Sequence, residues 1–304
     1  MAHSLEARAL RRAVGERVPL GSGAVTTQEQ VRDWWNRNPM SYDVDDPIPF
    51  EQGSQEFFRE IDRRIFHPRY MRLTADASGK PFSLFVDFDS LRGKDVLDVG
   101  IGSGIATQLL AEAGANVTGV DLTDWAVETT QRRLAAFGLE ADVRQADAER
   151  LPFGDASFDL VFSWGVIHHS SDMDRALAEL VRVTRPGGRV VLMVYHRRSL
   201  FFVVYRGFQR FLPIARRLGL HFEGARAGET EGLIARHFTV AELRRKLEGA
   251  GLTNVWIQPY GQDAELLPLP RRIRLPITER IPQRLKDPIL RRLGHQLGAL
   301  ATKR

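Results

Sequence analysis

The chain of 304 residues contains no cysteine, which excludes disulfides, thiolate metal sites and a cysteine nucleophile and is compatible with a reducing, cytoplasmic setting. Long apolar runs are also missing: Leu200 to Tyr205 is the longest candidate, far short of the roughly 18 residues needed to cross a bilayer. Histidine is sparse, with 8 residues. No cysteine or carboxylate cluster joins His168 and His169 at a ligand spacing, so no metal site is expected. Repeats and low-complexity tracts are absent. The charge balance is only mildly basic, 43 Lys+Arg against 38 Asp+Glu, so nucleic acid is not favoured as a partner. The first twenty residues carry Arg8, Arg11, Arg12 and Arg17 without the continuous apolar stretch of a secretion signal. Glu6 and Glu16 argue against an organelle-targeting peptide there, and a docking helix is the other reading.

What is present centres on Val96 to Gly104, reading Val-Leu-Asp-Val-Gly-Ile-Gly-Ser-Gly, followed by a helical pattern from Ile105 to Ala113. An apolar run that breaks into alternating glycines and then a helix predicts a buried strand, a tight turn and a helix N-terminus. Gly100, Gly102 and Gly104 lack Cβ atoms, so the backbone there can take left-handed angles and approach a ligand closely. Asp98 stands just before the turn, where a carboxylate suits a cationic group and repels phosphate oxygens. The dinucleotide fingerprint places its third glycine where this chain has Ile105, so the dehydrogenase pattern fails by one residue.

A second strand pattern, Asn116 to Val120, ends in Asp121, at about the 20-residue spacing from which a carboxylate meets ribose hydroxyls. Ala141 to Gln145 ends in Asp147-Ala148. Phe158 to Ser163 reads as a fourth strand, and Arg185-Pro186-Gly187-Gly188 turns into a fifth, Arg189 to Tyr195. A helical pattern is expected between successive strands. Asp121 and Asp147 each have a second reading, as caps of the segments starting near Asp124 and Leu151.

Residues 95 to 195 resemble a class I S-adenosylmethionine-dependent methyltransferase of the type 11 group, which includes ubiquinone and menaquinone C-methyltransferases. The resemblance rests on Asp98 with the three glycines, Asp121, Asp147-Ala148, Val166-Ile167-His168-His169 and Arg185-Pro186-Gly187-Gly188. It implies a Rossmann-like α/β fold: a seven-stranded, mostly parallel sheet with an antiparallel last strand and helices on both faces. It implies S-adenosylmethionine as cofactor. Asp98 and the glycines would hold its methionine end, Asp121 with Leu122 its ribose, and Asp147 with the Ala148 backbone its adenine. Ser163 and Trp164, at the end of the fourth strand, complete the expected set. His168 and His169 are the candidate catalytic pair, because histidine titrates near neutral pH and an acceptor hydroxyl or carbon must lose a proton. Neighbouring side chains diverge, so one can face the cleft while the other packs beneath the next helix.

The expected organisation is a helical lid region at 1–90, the cofactor-binding core at 91–196, a helical cap insertion at 197–238, and at 239–304 the end of the core sheet with a basic insertion at 262–294. Trp34, Trp35 and Tyr42 are placed in the lid. In the cap, Leu200 to Tyr205, Phe208, Phe211, Leu212 and Ile214 alternate with Arg206, Arg210, Arg216 and Arg217, without an acidic residue before Glu223. Such an aromatic, arginine-edged segment suits a membrane interface, an anionic lipid-like substrate or a roof over the site. Thr239 with Glu242 predicts a capping box and Gly251 the end of that helix. Thr253 to Tyr260 and His295 to Thr302 are the sixth and seventh strands. Residues Gln262 to Arg304 hold ten Lys/Arg against four Asp/Glu, which reads either as a solvated surface or as a face for acidic lipid or an acidic substrate. Two functions follow. One is methyl transfer to a small-molecule or lipid-like acceptor, with peripheral membrane contact; the other is a silent binding protein on the same fold that uses its basic insertions at membrane or nucleic acid.

Overall fold

The alternation of apolar side chains along the central strands serves both faces of one sheet. In β1 (Asp95–Val99), Val96 joins one core cluster while Leu97 and Val99 join the other. β4 (Phe158–Trp164) and β5 (Thr184–His196) repeat this: Leu160, Phe162, Val191 and Met193 pack on one face, Val161, Val190, Leu192 and Val194 on the opposite one. A strand covered on both faces is apolar at most positions, which is why these segments read as near-continuous hydrophobic runs. The computed structural model describes residues 26–39, 47–65, 72–203, 234–262, 265–267 and 271–304.

β2 (Asn116–Asp121) and β3 (Asp142–Gln145) extend the sheet on one side of β1, β7 (Leu252–Tyr260) and β8 (Gln296–Lys303) beyond β5 on the other. The order is β3-β2-β1-β4-β5-β8-β7, parallel through β5, with β8 antiparallel to both neighbours. The expected mostly parallel sheet with an antiparallel last strand is therefore present. An additional two-residue strand, β6 (His237–Phe238), pairs with the end of β5.

Among the described residues, five α-helices precede β5 in the chain: α1 (Gln28–Arg37), α2 (Gln55–Ile65), α3 (Ile105–Glu112), α4 (Asp124–Phe137) and α5 (Met173–Val183). After β6 come α6 (Val240–Gly249), α7 (Arg271–Arg280) and α8 (Gln283–Leu293). Local chemistry sets their ends. Thr27 with Gln30 and Thr239 with Glu242 form complete capping boxes, and Thr123 caps α4. α7 and α8 stand inside the basic insertion, each carrying an internal proline, Pro276 and Pro288. Tyr42 and the cap residues 204–233 lie outside the described residues, as do residues 1–25.

One expectation fails. No helix separates β3 from β4; residues 146–157 form turns and bends that include a bridge between Asp147 and Arg150. Pro152 and Gly154 interrupt this short link, and Arg182 of α5 supplies what a helix would have done for its backbone. Its guanidinium donates to the carbonyls of Leu151 and Phe153, while Glu179 accepts from the Leu151 N–H.

α2 is tied to the core by a buried ion. The Arg133 side chain is fully buried, donates to Gln108 Oε1 at 2.6 Å and the Ser103 carbonyl at 3.1 Å, and pairs with Asp62 of α2. Its guanidinium also lies over the Phe58 ring at 5.2 Å. Removing one partner strands a buried charge. Arg133→Met is expected to lower the free energy of unfolding by about 3–5 kcal/mol in urea denaturation, and a loss under about 1 kcal/mol, the size of an exposed pair, would contradict this account.

Candidate active site

At the carboxyl end of β1 the chain turns through residues 100–104 into α3. The three glycines do different work. A Cβ on Gly100, at φ +83°, would lie 2.1 Å from Val166 Cγ2, so only glycine lets this turn close against the segment after β4. A Cβ on Gly104 would meet Thr130 Oγ1 at 2.8 Å. Gly104 is thus a packing glycine and does not line the cavity. At Gly102 an added Cβ meets nothing within 4 Å, because that point opens on a cavity of about 290 Å³. This volume lies near the lower end of the range for small-molecule sites, roughly 300–1,000 Å³. The loop's N–H groups are less available than expected: Gly100 donates to the Val120 carbonyl at 2.7 Å and Gly102 to Asp121 Oδ2 at 3.2 Å.

Two carboxylates line this cavity beside the loop. Asp98 is 1% exposed and accepts from Thr107 Oγ1 at 2.7 Å. Burial, opposed by the Thr107 bond and reinforced by the nearby Asp121 charge, pushes its pKa up to about 7. Asp121 accepts from Thr123 N at 2.9 Å, Thr123 Oγ1 at 2.8 Å and Gly102 N, yet loss of surrounding water still raises its pKa. Two carboxyl groups disfavoured as anions form a site that gains from a cation and rejects a pyrophosphate. Of the about four acceptor positions on a carboxylate, Asp121 has three engaged. To accept from both hydroxyls of a ribose it must release the Thr123 hydroxyl, which also caps α4.

Among the other expected cofactor residues, Leu122, Ala148 and Trp164 line the cavity, whereas Asp147 and Ser163 do not. Strand alternation explains Ser163: it is fully buried, on the face opposite Trp164. Asp147 is covered by α1. Gln28 Nε2 donates to Asp147 Oδ1 at 2.8 Å, and Gln28 Oε1 accepts from Ser171 N at 3.0 Å, so Gln28 presents itself to the cavity where Asp147 was expected.

The other end of the cavity is apolar. Trp164, whose ring stacks on Phe162 at 5.5 Å, meets Phe82, Met193, Tyr195 and Trp35 around it. Trp35 belongs to α1, and Trp34 meets it edge-on at 4.7 Å. The two histidines part company. His169 lines the cavity with its ring 5.3 Å from Trp35, and its Nδ1 donates to the Ile234 carbonyl at 2.6 Å, leaving the lone pair on Nε2. Burial lowers its pKa to about 4. His168 is fully buried behind it, 4.0 Å from His169 and 4.3 Å from Tyr195 between ring centroids, and burial holds its pKa well below the usual histidine value. His237 and His295 also approach Tyr195, but no group of three or more His, Cys, Asp or Glu among the described residues is disposed to hold a metal.

Sequence reasoning missed Thr107, Gln28, Phe82 and Gln296. Gln28, Phe82 and Gln296 reach the site from elements distant in the chain, Thr107 from the first turn of α3 after the glycines, and none belongs to a glycine or carboxylate motif.

The family described as a methyltransferase domain, of the type 11 group, matches residues 97–192. The chain is 38% identical over 125 residues to a demethylmenaquinone methyltransferase of Thermus thermophilus, covering 40% of this chain and 57% of that protein. It is 36% identical over 108 residues to a ubiquinone biosynthesis O-methyltransferase of Aromatoleum aromaticum, covering 35% and 46%. The chain thus spans about half the length of these curated relatives. A Haloferax volcanii chain solved in complex with the Trm112 methyltransferase activator shares the fold, with a TM-score of 0.55 at 18% identity over 90% of this chain and 96% of that one. The carboxylate entering the glycine turn and the second carboxylate closing β2 both lie in the stretch, residues 97–192, that matches the methyltransferase domain of the type 11 group.

Proposed function

We propose that this chain transfers a methyl group from S-adenosylmethionine to a small, lipid-like acceptor. The observation that carries the reading is the shared cavity: Asp98, Gly102 and Asp121 at one end, an apolar aromatic chamber at the other. The cofactor supplies a methyl group already activated by its sulfonium charge. The protein's part is alignment, exclusion of water and disposal of a proton. Asp98 and Asp121 hold the cationic and hydroxyl-bearing end, Leu122 and Ala148 flank it, and Trp164 walls the junction with the acceptor chamber. α1 covers the cavity through Gln28 and Trp35, which keeps charge development out of water. His169 is the proton acceptor in this scheme. With a pKa of about 4 it is unprotonated at neutral pH, and a weak base suffices because an acceptor hydroxyl becomes strongly acidic as its bond to carbon forms. His168 positions the His169 ring from behind. The domain division follows: a lid up to residue 90, the cofactor core at 91–196, a cap at 197–238, and a closing segment that completes the sheet.

The similarity to quinone-pathway methyltransferases supports a small-molecule acceptor, and the outer face of α8 supports contact with an anionic membrane. Leu285, Ile289 and Leu293 recur at i, i+4 and i+8 and are 57%, 43% and 38% exposed. Leu290 faces the core, while exposed Arg284, Arg291 and Arg292 border the apolar stripe. Each arginine near an anionic surface contributes about 1 kcal/mol. No helix among the described residues is long and apolar enough to cross a membrane.

Three outcomes are expected. Asp121→Ala should abolish calorimetric binding of adenosylhomocysteine while leaving the fold intact by circular dichroism, and methyl-labelled cofactor in cell extract should give a labelled product with the parent chain alone. Cation binding should expel the Asp98 proton, so calorimetry near pH 6.5 in buffers of different ionisation enthalpy should register proton release that Asp98→Asn eliminates. A carboxyl raised to about 7 favours the folded chain at low pH, and this advantage fades as pH climbs from about 4 through 7. Finally, the chain should float with phosphatidylglycerol vesicles but not with phosphatidylcholine, and serine at Leu285, Ile289 and Leu293 together should leave it in the pellet fraction.

A further inference from the structure

Gln296 is the first residue of β8, paired in register with Tyr195 of β5 and Tyr260 of β7. Because β8 runs antiparallel, its start lies at the carboxyl end of the parallel strands, where the cavity opens. The side chain lines the cavity's apolar end beside Trp164, Met193 and Tyr195. It is 5% exposed, and its Oε1 is buried without a hydrogen-bond partner. A carboxamide in an apolar wall is costly unless something bonds to it. The sheet does not require it at this position: the register pairs use the backbone, and a leucine would fill the same volume.

Resting on the methyl-transfer reading, we infer that Gln296 is the specificity-determining residue of the acceptor chamber, accepting a hydrogen bond from an O–H or N–H carried on a flat, otherwise apolar ring. The walls define the ring. Trp164, Phe82 and Met193 offer flat or pliable apolar surface, and the Trp164 indole N–H can donate but not accept, so among these walls the acceptor is Gln296. Accepting sites of this kind discriminate strongly, since an analogue lacking the donor leaves the buried amide unpaired.

Phenol and toluene, which differ in the donor and little in shape, are the probes, titrated by ligand-observed NMR against the chain saturated with adenosylhomocysteine. The parent chain is expected to favour phenol by at least about tenfold, the value of one buried hydrogen bond. Gln296→Leu should lose the preference, because the wall at that point then offers the hydroxyl no acceptor. Its melting temperature should not fall, whereas a merely structural glutamine would lower it. Gln296→Met serves the same test if the leucine variant does not fold. Equal binding of both probes by the parent chain, a preference that survives in the variants, or binding of neither ring would overturn the inference. Adenosylhomocysteine binding, measured separately, reports on the methyl-transfer reading itself: its absence sinks that reading, while its presence without probe discrimination sinks only the role of Gln296.

Discussion

The site depends on one unfavourable placement: a carboxyl group at the end of the central strand, nearly cut off from water, with Thr107 as its hydrogen-bond donor. Asp98 shares its surroundings with Asp121, so each makes the other's charge harder to hold. Such a pair is a cost to the free protein and an attraction for any cation that reaches it. The glycine turn, the capping of α4 and the position of Thr107 on α3 all serve to keep that pair in place.

The rest of the fold explains how the cost is carried. Alternating side chains on β1, β4 and β5 feed two apolar clusters, one on each face of the sheet, and this bilateral burial stabilises the strand ends from which Asp98, Trp164 and Tyr195 project. The elements that complete the cavity come from outside this frame. α1 supplies Gln28 and Trp35, and the antiparallel β8 supplies Gln296. The domain therefore joins a frame of sheet and turn that carries the two carboxylates to a half assembled from distant segments that encloses the apolar end of the cavity.

Histidine illustrates how burial reassigns chemistry. Two adjacent imidazoles of equal intrinsic basicity are separated by a single step of backbone into different roles: His169 meets the cavity and has its tautomer set by the Ile234 carbonyl, while His168 is sealed behind it. Desolvation lowers the proton affinity of both.

Much was legible along the chain because it depends on local pattern. The period-two and continuous apolar runs marked the strands, the glycines marked a turn that needs left-handed angles, and Thr239 with Glu242 marked a helix start. Asp98, Gly102 and Asp121 could be placed at the cavity for the same reason, since a strand end and the turn after it have little freedom. What only the tertiary structure decided involves contacts between segments far apart: Gln28 taking the hydrogen bond of Asp147, Arg182 replacing a helix between β3 and β4, Ser163 facing away from the cavity, and Gln296 turned into it. Side-chain direction at a strand end follows from alternation once the register is known, but register and lid position are set by packing over more than a hundred residues of intervening chain, a distance over which no local pattern carries information.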